Sequence, residues 1–145
     1  MTAVDQTRNK VQRILTSKLN RVEIDSDGDF VVRYQSAVAF VRVREGFGDG
    51  TMVDVRCPMV TGVKITNELC RWIATEGQDF KIGGTYLMEE RDDDEQCWIF
   101  FRYSLTGDDL DESELMNAVG AIVATAQKLD NELQDKFGGE LFGRE

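Results

Sequence analysis

The spacing of apolar residues changes several times along this chain, and each change predicts a new element. Across residues 5–19 the spacing is helical: Val4, Val11, Ile14, Leu15 and Leu19 fall near one stripe, with Arg8, Lys10, Arg13 and Lys18 around it. From residue 22 the period drops to two, and runs at 22–24, 30–34, 37–45 and 52–60 predict strands. Asp25-Ser26-Asp27-Gly28-Asp29, Gln35-Ser36 and Gly46-Phe47-Gly48-Asp49-Gly50 separate them, and all three have turn compositions. Pro58, the one proline, suits an edge or a strand end because it cannot donate to a ladder.

Thr66 is placed to cap a second helix that stops at Gly77, with Leu69, Trp72 and Ile73 inward and Cys70 close by. Two more strands, 85–90 and 96–105, flank the charged turn Arg91-Asp92-Asp93-Asp94-Glu95. Asp111 and Glu114 have capping-box spacing. Leu115, Val119, Ile122, Ala126, Leu129, Leu133 and Phe137 then follow at steps of three and four, a long seam that ends at Gly138-Gly139. The tail beyond it, residues 140–145, keeps two large apolar residues, Leu141 and Phe142. The predicted fold class is α+β. An antiparallel sheet of five to six strands is flanked by three helices in the order α-β-β-β-(β)-α-β-β-α, as one domain over residues 1–145, since the hairpin links are too short for crossovers.

Alternation also sorts the strands into faces. Val31, Ala39, Val41, Val43, Val53, Val55, Cys57, Cys97, Ile99, Phe101 and Tyr103 are assigned to the helix side. Arg33, Phe40, Arg42, Arg44, Asp54, Arg56, Trp98, Phe100 and Arg102 are assigned to the other. One reading of that second face is structural, with arginine stems over aromatics and pairing to Asp54 or Glu89. The other is a partner-binding surface made by Arg33, Phe40, Arg42, Arg44, Arg56, Trp98, Phe100 and Arg102, since aromatics and arginine are enriched at interface hot spots.

Charge and composition narrow the function. The net charge is −10, from 27 acidic and 17 basic residues, which opposes binding to nucleic acid or an anionic membrane. No apolar run approaches a membrane span, and charge near the N-terminus replaces the apolar stretch of a signal peptide, so the expected location is cytoplasmic. The chain has no histidine, which removes Ser-His-Asp and Cys-His catalysis and the histidine-containing zinc sites. Cys57, Cys70 and Cys97 are odd in number and far apart, and read as buried small hydrophobes.

Three motifs hint at chemistry and fail on spacing. Counted from Asp25, an EF-hand would need glycine sixth and an acid twelfth; here glycine is fourth and Ser36 twelfth. Gly46-x-Gly48-x-Gly50 lacks the Gly-Lys-Ser/Thr of a phosphate loop and joins two strands. Asp92-Asp93-Asp94-Glu95 reads as a solvated hairpin tip. No catalytic residue, metal site or cofactor is expected.

The strands around Val22-Glu23-Ile24-Asp25-Ser26-Asp27-Gly28-Asp29-Phe30, the paired strands 37–45 and 52–60, and the seam ending Lys136-Phe137-Gly138-Gly139 resemble the YbjN family. The order of elements is also similar to the fold of type III secretion chaperones. The resemblance spans nearly the whole chain. It implies a small, acidic, non-enzymatic protein, and its chaperone branch implies a homodimer that holds extended segments of client proteins. The function expected is therefore a chaperone-like protein- or peptide-binding module. The alternative is a small regulatory protein that docks one defined folded partner. An enzyme built on carboxylates and cysteine is disfavoured by the missing histidine.

Overall fold

The computed structural model describes residues 1–143. Helix α1 spans Ala3–Lys18; strands β1 (Glu23–Ile24), β2 (Phe30–Tyr34), β3 (Ala37–Glu45) and β4 (Thr51–Lys64) follow. Helix α2 (Asn67–Ala74) leads through a 3-10 turn, Glu76–Gln78, into β5 (Gly84–Glu90) and β6 (Asp93–Thr106). Helix α3 (Glu112–Phe137) and a two-residue strand β7 (Glu140–Leu141) complete it. The strands form one antiparallel sheet in the order β1-β2-β3-β4-β6-β5, with β7 added against β4. This is the α+β architecture the pattern predicts, extended by a short strand from the segment after α3. Arg144 and Glu145, also assigned to that segment, lie outside the described residues.

The helix ends are set by side chains. Thr2 and Asp5 make a reciprocal capping box for α1, and Asp111 and Glu114 make another for α3. Thr66 accepts from the Leu69 N–H at the start of α2. The helices pack on one face of the sheet. Val11 and Leu15 of α1, Leu69 of α2, and Leu115, Ile122 and Leu133 of α3 close over Phe30, Val41, Val53, Val55, Ile99 and Phe101. Trp72 of α2 meets Phe137 of α3 edge-on at 6.1 Å.

The registers correct several sequence expectations. Val31 pairs with Phe40, and Phe30 with Val41, so Val31 lies on the face away from the helices and Phe30 and Val32 point inward. Side chains two apart share a face, so Val31 had to follow Arg33. Pro58 is not at a strand end: β4 runs on to Lys64, and Pro58 lies where the β3-side edge of this otherwise central strand has lost its partner. It is tolerated because pairing with β3 stops at Phe40–Arg56, and pairing with β6 shifts register between Pro58 and Val60. Residues 93–95 belong to β6, because Glu90 pairs with Asp93 and shortens the turn. Cys70 is exposed, whereas Cys57 and Cys97 are buried.

Phe101 sits on β6 at the middle of this core, fully buried and edge-on to Phe80 at 5.0 Å. Phe101→Ala is expected to cost about 3–5 kcal/mol in urea unfolding, the range for truncating a buried aromatic. A loss below about 1 kcal/mol would show that the core does not centre on this residue.

Candidate functional site

The face away from the helices carries the chemistry. Cross-strand partners point to the same side, and the pairs Phe40–Arg56, Arg42–Asp54, Arg56–Arg102 and Pro58–Phe100 put the outward residues of β3, β4 and β6 in register. Tyr86–Phe100 and Met88–Trp98 add β5. All eight residues assigned to a partner-binding surface therefore share this face. They do not share one site. Phe40, Arg42, Arg56, Trp98 and Phe100 line a groove of about 320 Å³, together with Asp25, Asp27, Asp29, Pro58, Met88 and Phe142. Arg33 lies off to one side and reaches Glu23 at 3.7 Å, Arg44 pairs with Asp54, and Arg102 covers Tyr86.

Aromatic rings form the groove's floor and wall. Tyr86 stacks on Phe100 at 5.0 Å, and Phe100 on Trp98 at 5.9 Å. Phe100, sandwiched between them, is buried although no helix covers it. The row continues through Phe142, 5.6 Å from Trp98 and 6.2 Å from Phe40. At the other end the Arg102 guanidinium lies 4.5 Å from the Tyr86 ring centre. The Trp98 indole N–H donates to Glu90 at 2.6 Å, which fixes that ring's orientation.

Asp29 organises the charges. The turn before it is closed by Asp25, whose carboxylate accepts from the N–H groups of Asp27 and Asp29, with Gly28 at φ +85°. Asp25's carboxylate is thus engaged with backbone. That turn aims the buried Asp29 carboxylate at Arg42, which grips it with two bonds of 2.8 and 3.0 Å, and at Arg56, 3.4 Å away. The carboxylate, with Asp27 and Asp25 nearby, raises the Arg42 pKa. The partner expected from the strand pattern, Glu89, pairs across the sheet with Cys97 and points to the other side. Asp54 is held differently. Burial pushes its pKa up, but bonds from Arg44 and Ser104 and the charges of Arg44 and Arg56 outweigh that and leave it below the usual carboxylate value.

The segment after α3 joins the sheet beside β4 and reaches the same face with one ring. Leu141 pairs with Val60, Glu140 with Thr61, and the Phe142 N–H donates to the Met59 carbonyl at 3.0 Å. The Phe142 ring is thereby laid into the groove. Two further hollows of about 310 Å³ lie beside β2, one against Lys18 and Arg21 and one against Met116 and Val123 of α3. Neither is lined by the aromatic row.

Two of the three thiols are buried and poorly ionised. Burial pushes Cys57 up to about 12 and Cys97 up to about 11, so neither is a nucleophile near neutral pH. Among the described residues no three acidic or cysteine side chains are placed to hold one metal ion.

The family model described as "T3SS (YopN, CesT) and YbjN peptide-binding chaperone 1" matches residues 5–145. The chain belongs to the TY-Chap1 family. A comparison with curated proteins finds no match. TY-Chap1 membership accords with the YbjN and secretion-chaperone resemblance seen in the strand order and the α3 seam. In this TY-Chap1 chain the sequence pattern missed Tyr86, Met88 and Asp29 as parts of the face. Tyr86 and Met88 share Trp98's and Phe100's alternation once β5 is paired, and Asp29 is recognisable only when its turn is folded.

The lowered Asp54 pKa has a pH consequence. Its folded value lies below its unfolded one, so its stabilisation is fully present above about pH 4 and is lost as pH falls through the folded value. Melting temperature measured against pH should fall across that acid window in the native chain, and Asp54→Asn should flatten this part of the curve. Identical slopes in the two proteins would refute the assignment.

Proposed function

We propose that this protein binds extended peptide segments of client proteins in the groove on the outer face of its sheet, and that it acts as a chaperone-like module without catalysing a reaction. One observation carries this reading: a short strand from the chain itself pairs with β4 beside the groove and lays an aromatic ring into it, the two contacts an extended client would make. Membership of a family described as peptide-binding chaperones supports it. So does the chemistry of the wall, where Phe40, Trp98 and Phe100 offer apolar contact and Arg42 and Arg56 offer donors. Backbone pairing supplies affinity that is independent of sequence, and the rings select particular side chains.

The test is fluorescence anisotropy with a panel of labelled peptides, some unstructured and aromatic-containing, some polar. Trp98→Ala is expected to weaken binding of the aromatic peptides by tenfold or more, while Arg33→Ala, outside the groove, leaves it within about twofold. Equal affinity of Trp98→Ala and the native protein would move the binding site elsewhere.

We also propose a homodimer, as the chaperone resemblance implies. The outer face is covered within one chain by Phe142, so the surface we favour is the apolar hollow between β2 and α3, where Tyr34 is 56% exposed beside Met116 and Gly120. Light scattering over a dilution series should give twice the chain mass, and Gly120→Glu should give the chain mass. A native protein that stays monomeric at high concentration rules the dimer out.

A further inference from the structure

The segment that covers the groove is weakly held for an element in such a position. Only Glu140 and Leu141 form β7, and a two-residue strand adds little stability of its own. It is attached to α3 through Gly138 and Gly139, at φ +80° and +85°. Gly139 also lies so close to β4 that a side-chain carbon there would sit 2.5 Å from the Thr61 carbonyl oxygen. Polar support is sparse: Gln134 donates to the Gly139 carbonyl at 3.1 Å, and Thr61 to that of Glu140 at 3.5 Å, so the segment is held chiefly by Leu141 against the edge of the core and by the Phe142 ring. Glu140 is exposed, and Leu141 and Phe142 are half-buried.

The fit is also incomplete. The Nε of Arg56 is buried at the groove and has no hydrogen-bond acceptor. A buried donor left unmade costs about 1–3 kcal/mol. The resident Phe142 brings a ring, which cannot accept that bond. A peptide laid along the same path could bring a carbonyl or carboxylate oxygen.

We infer that residues 138–142 are a built-in competitor for the groove, displaced by client segments in which an aliphatic residue is directly followed by an aromatic one. This rests on the peptide-binding reading and adds both a client class and a regulation to it. Leu141-Phe142 is the template for that class: the aliphatic residue pairs against Val60, the next N–H goes to Met59, and the ring enters between Phe40 and Trp98. Apparent affinity for a client is then reduced by the fraction of molecules in which the segment is seated.

The test uses the full chain and a labelled peptide copying residues 138–143. Thr61 and Glu140 are cross-strand partners, so Thr61→Cys with Glu140→Cys, in a Cys70→Ser background, locks the segment down when oxidised. Expected are a loss of peptide binding of at least tenfold on oxidation, recovery on reduction, and binding about tenfold tighter than native in both Phe142→Ala and Gly139→Ala. A peptide with its phenylalanine replaced by alanine should not bind. Melting curves confirm that each variant is folded. Equal affinity in the oxidised, reduced, Phe142→Ala and native proteins, with binding still lost in Trp98→Ala, overturns the competitor and leaves the groove as the peptide site. Absence of binding in every form, including Phe142→Ala and Gly139→Ala, overturns both.

Discussion

β4 is longer than the strand beside it, and the outer face depends on that mismatch. β4 covers Thr51–Lys64, while β3 pairs with it only from Glu45–Thr51 to Phe40–Arg56. Beyond Arg56 the edge of β4 has no β3 partner, yet this stretch is central to the sheet and its residues Met59, Val60 and Val63 are buried. Backbone groups left bare there would form an open strand edge beside buried side chains. The segment after α3 fills the gap, with Leu141 opposite Val60 and the Phe142 N–H on the Met59 carbonyl. A strand that must be completed from elsewhere is, by the same geometry, a strand another chain can complete.

The charges follow from the face this leaves open. The chain is acidic overall, with a net charge of −10, yet five arginines, Arg33, Arg42, Arg44, Arg56 and Arg102, stand on one side of the sheet. Like charges so close would repel. Asp29 pairs with Arg42 and Arg56 at the groove and Asp54 with Arg44 beside it, while Arg33 meets Glu23 and Arg102 lies over Tyr86. Asp29 holds both Arg42 and Arg56, so its burial is matched by three hydrogen bonds and leaves the guanidinium edges near the groove oriented. Removing that carboxylate would strand two arginines together, a larger change than the loss of one surface ion pair.

Much of this architecture is written in short-range pattern. The helices, the hairpins and the α3 capping box follow from residue spacing and turn composition, because those signals act within a few residues. The eight-residue face was legible for the same reason: Phe40, Arg42 and Arg44 alternate, and so do Trp98, Phe100 and Arg102. What was not legible depends on pairing between distant strands. Val31 was assigned by its apolar character when its parity with Arg33 placed it outward. Pro58 looked like the end of a strand, and only the loss of β3 pairing beyond Arg56 and the register shift with β6 show how β4 accommodates it and runs on. Asp29 carries no local sign that it will meet Arg42 and Arg56. Phe142 stands out in the sequence as a large apolar residue of the tail, but its position between Phe40 and Trp98 follows from β7, two residues with no strand signal of their own.

The cover also accounts for how such a face can be carried by a folded protein. A row of Phe40, Trp98, Phe100 and Tyr86 beside a bare strand edge combines the two features that most readily cause indiscriminate association, an apolar patch and an unpaired ladder. One short segment masks both. It pairs with the edge through backbone and with the patch through Phe142, so neither contact is available unless the other is released too. A folded surface that offers only a hydrophobic spot cannot replace the strand, and a polar extended chain cannot replace the ring. The ligand proposed above is one that supplies both, which is a property of an unfolded segment with an aromatic residue in the right place.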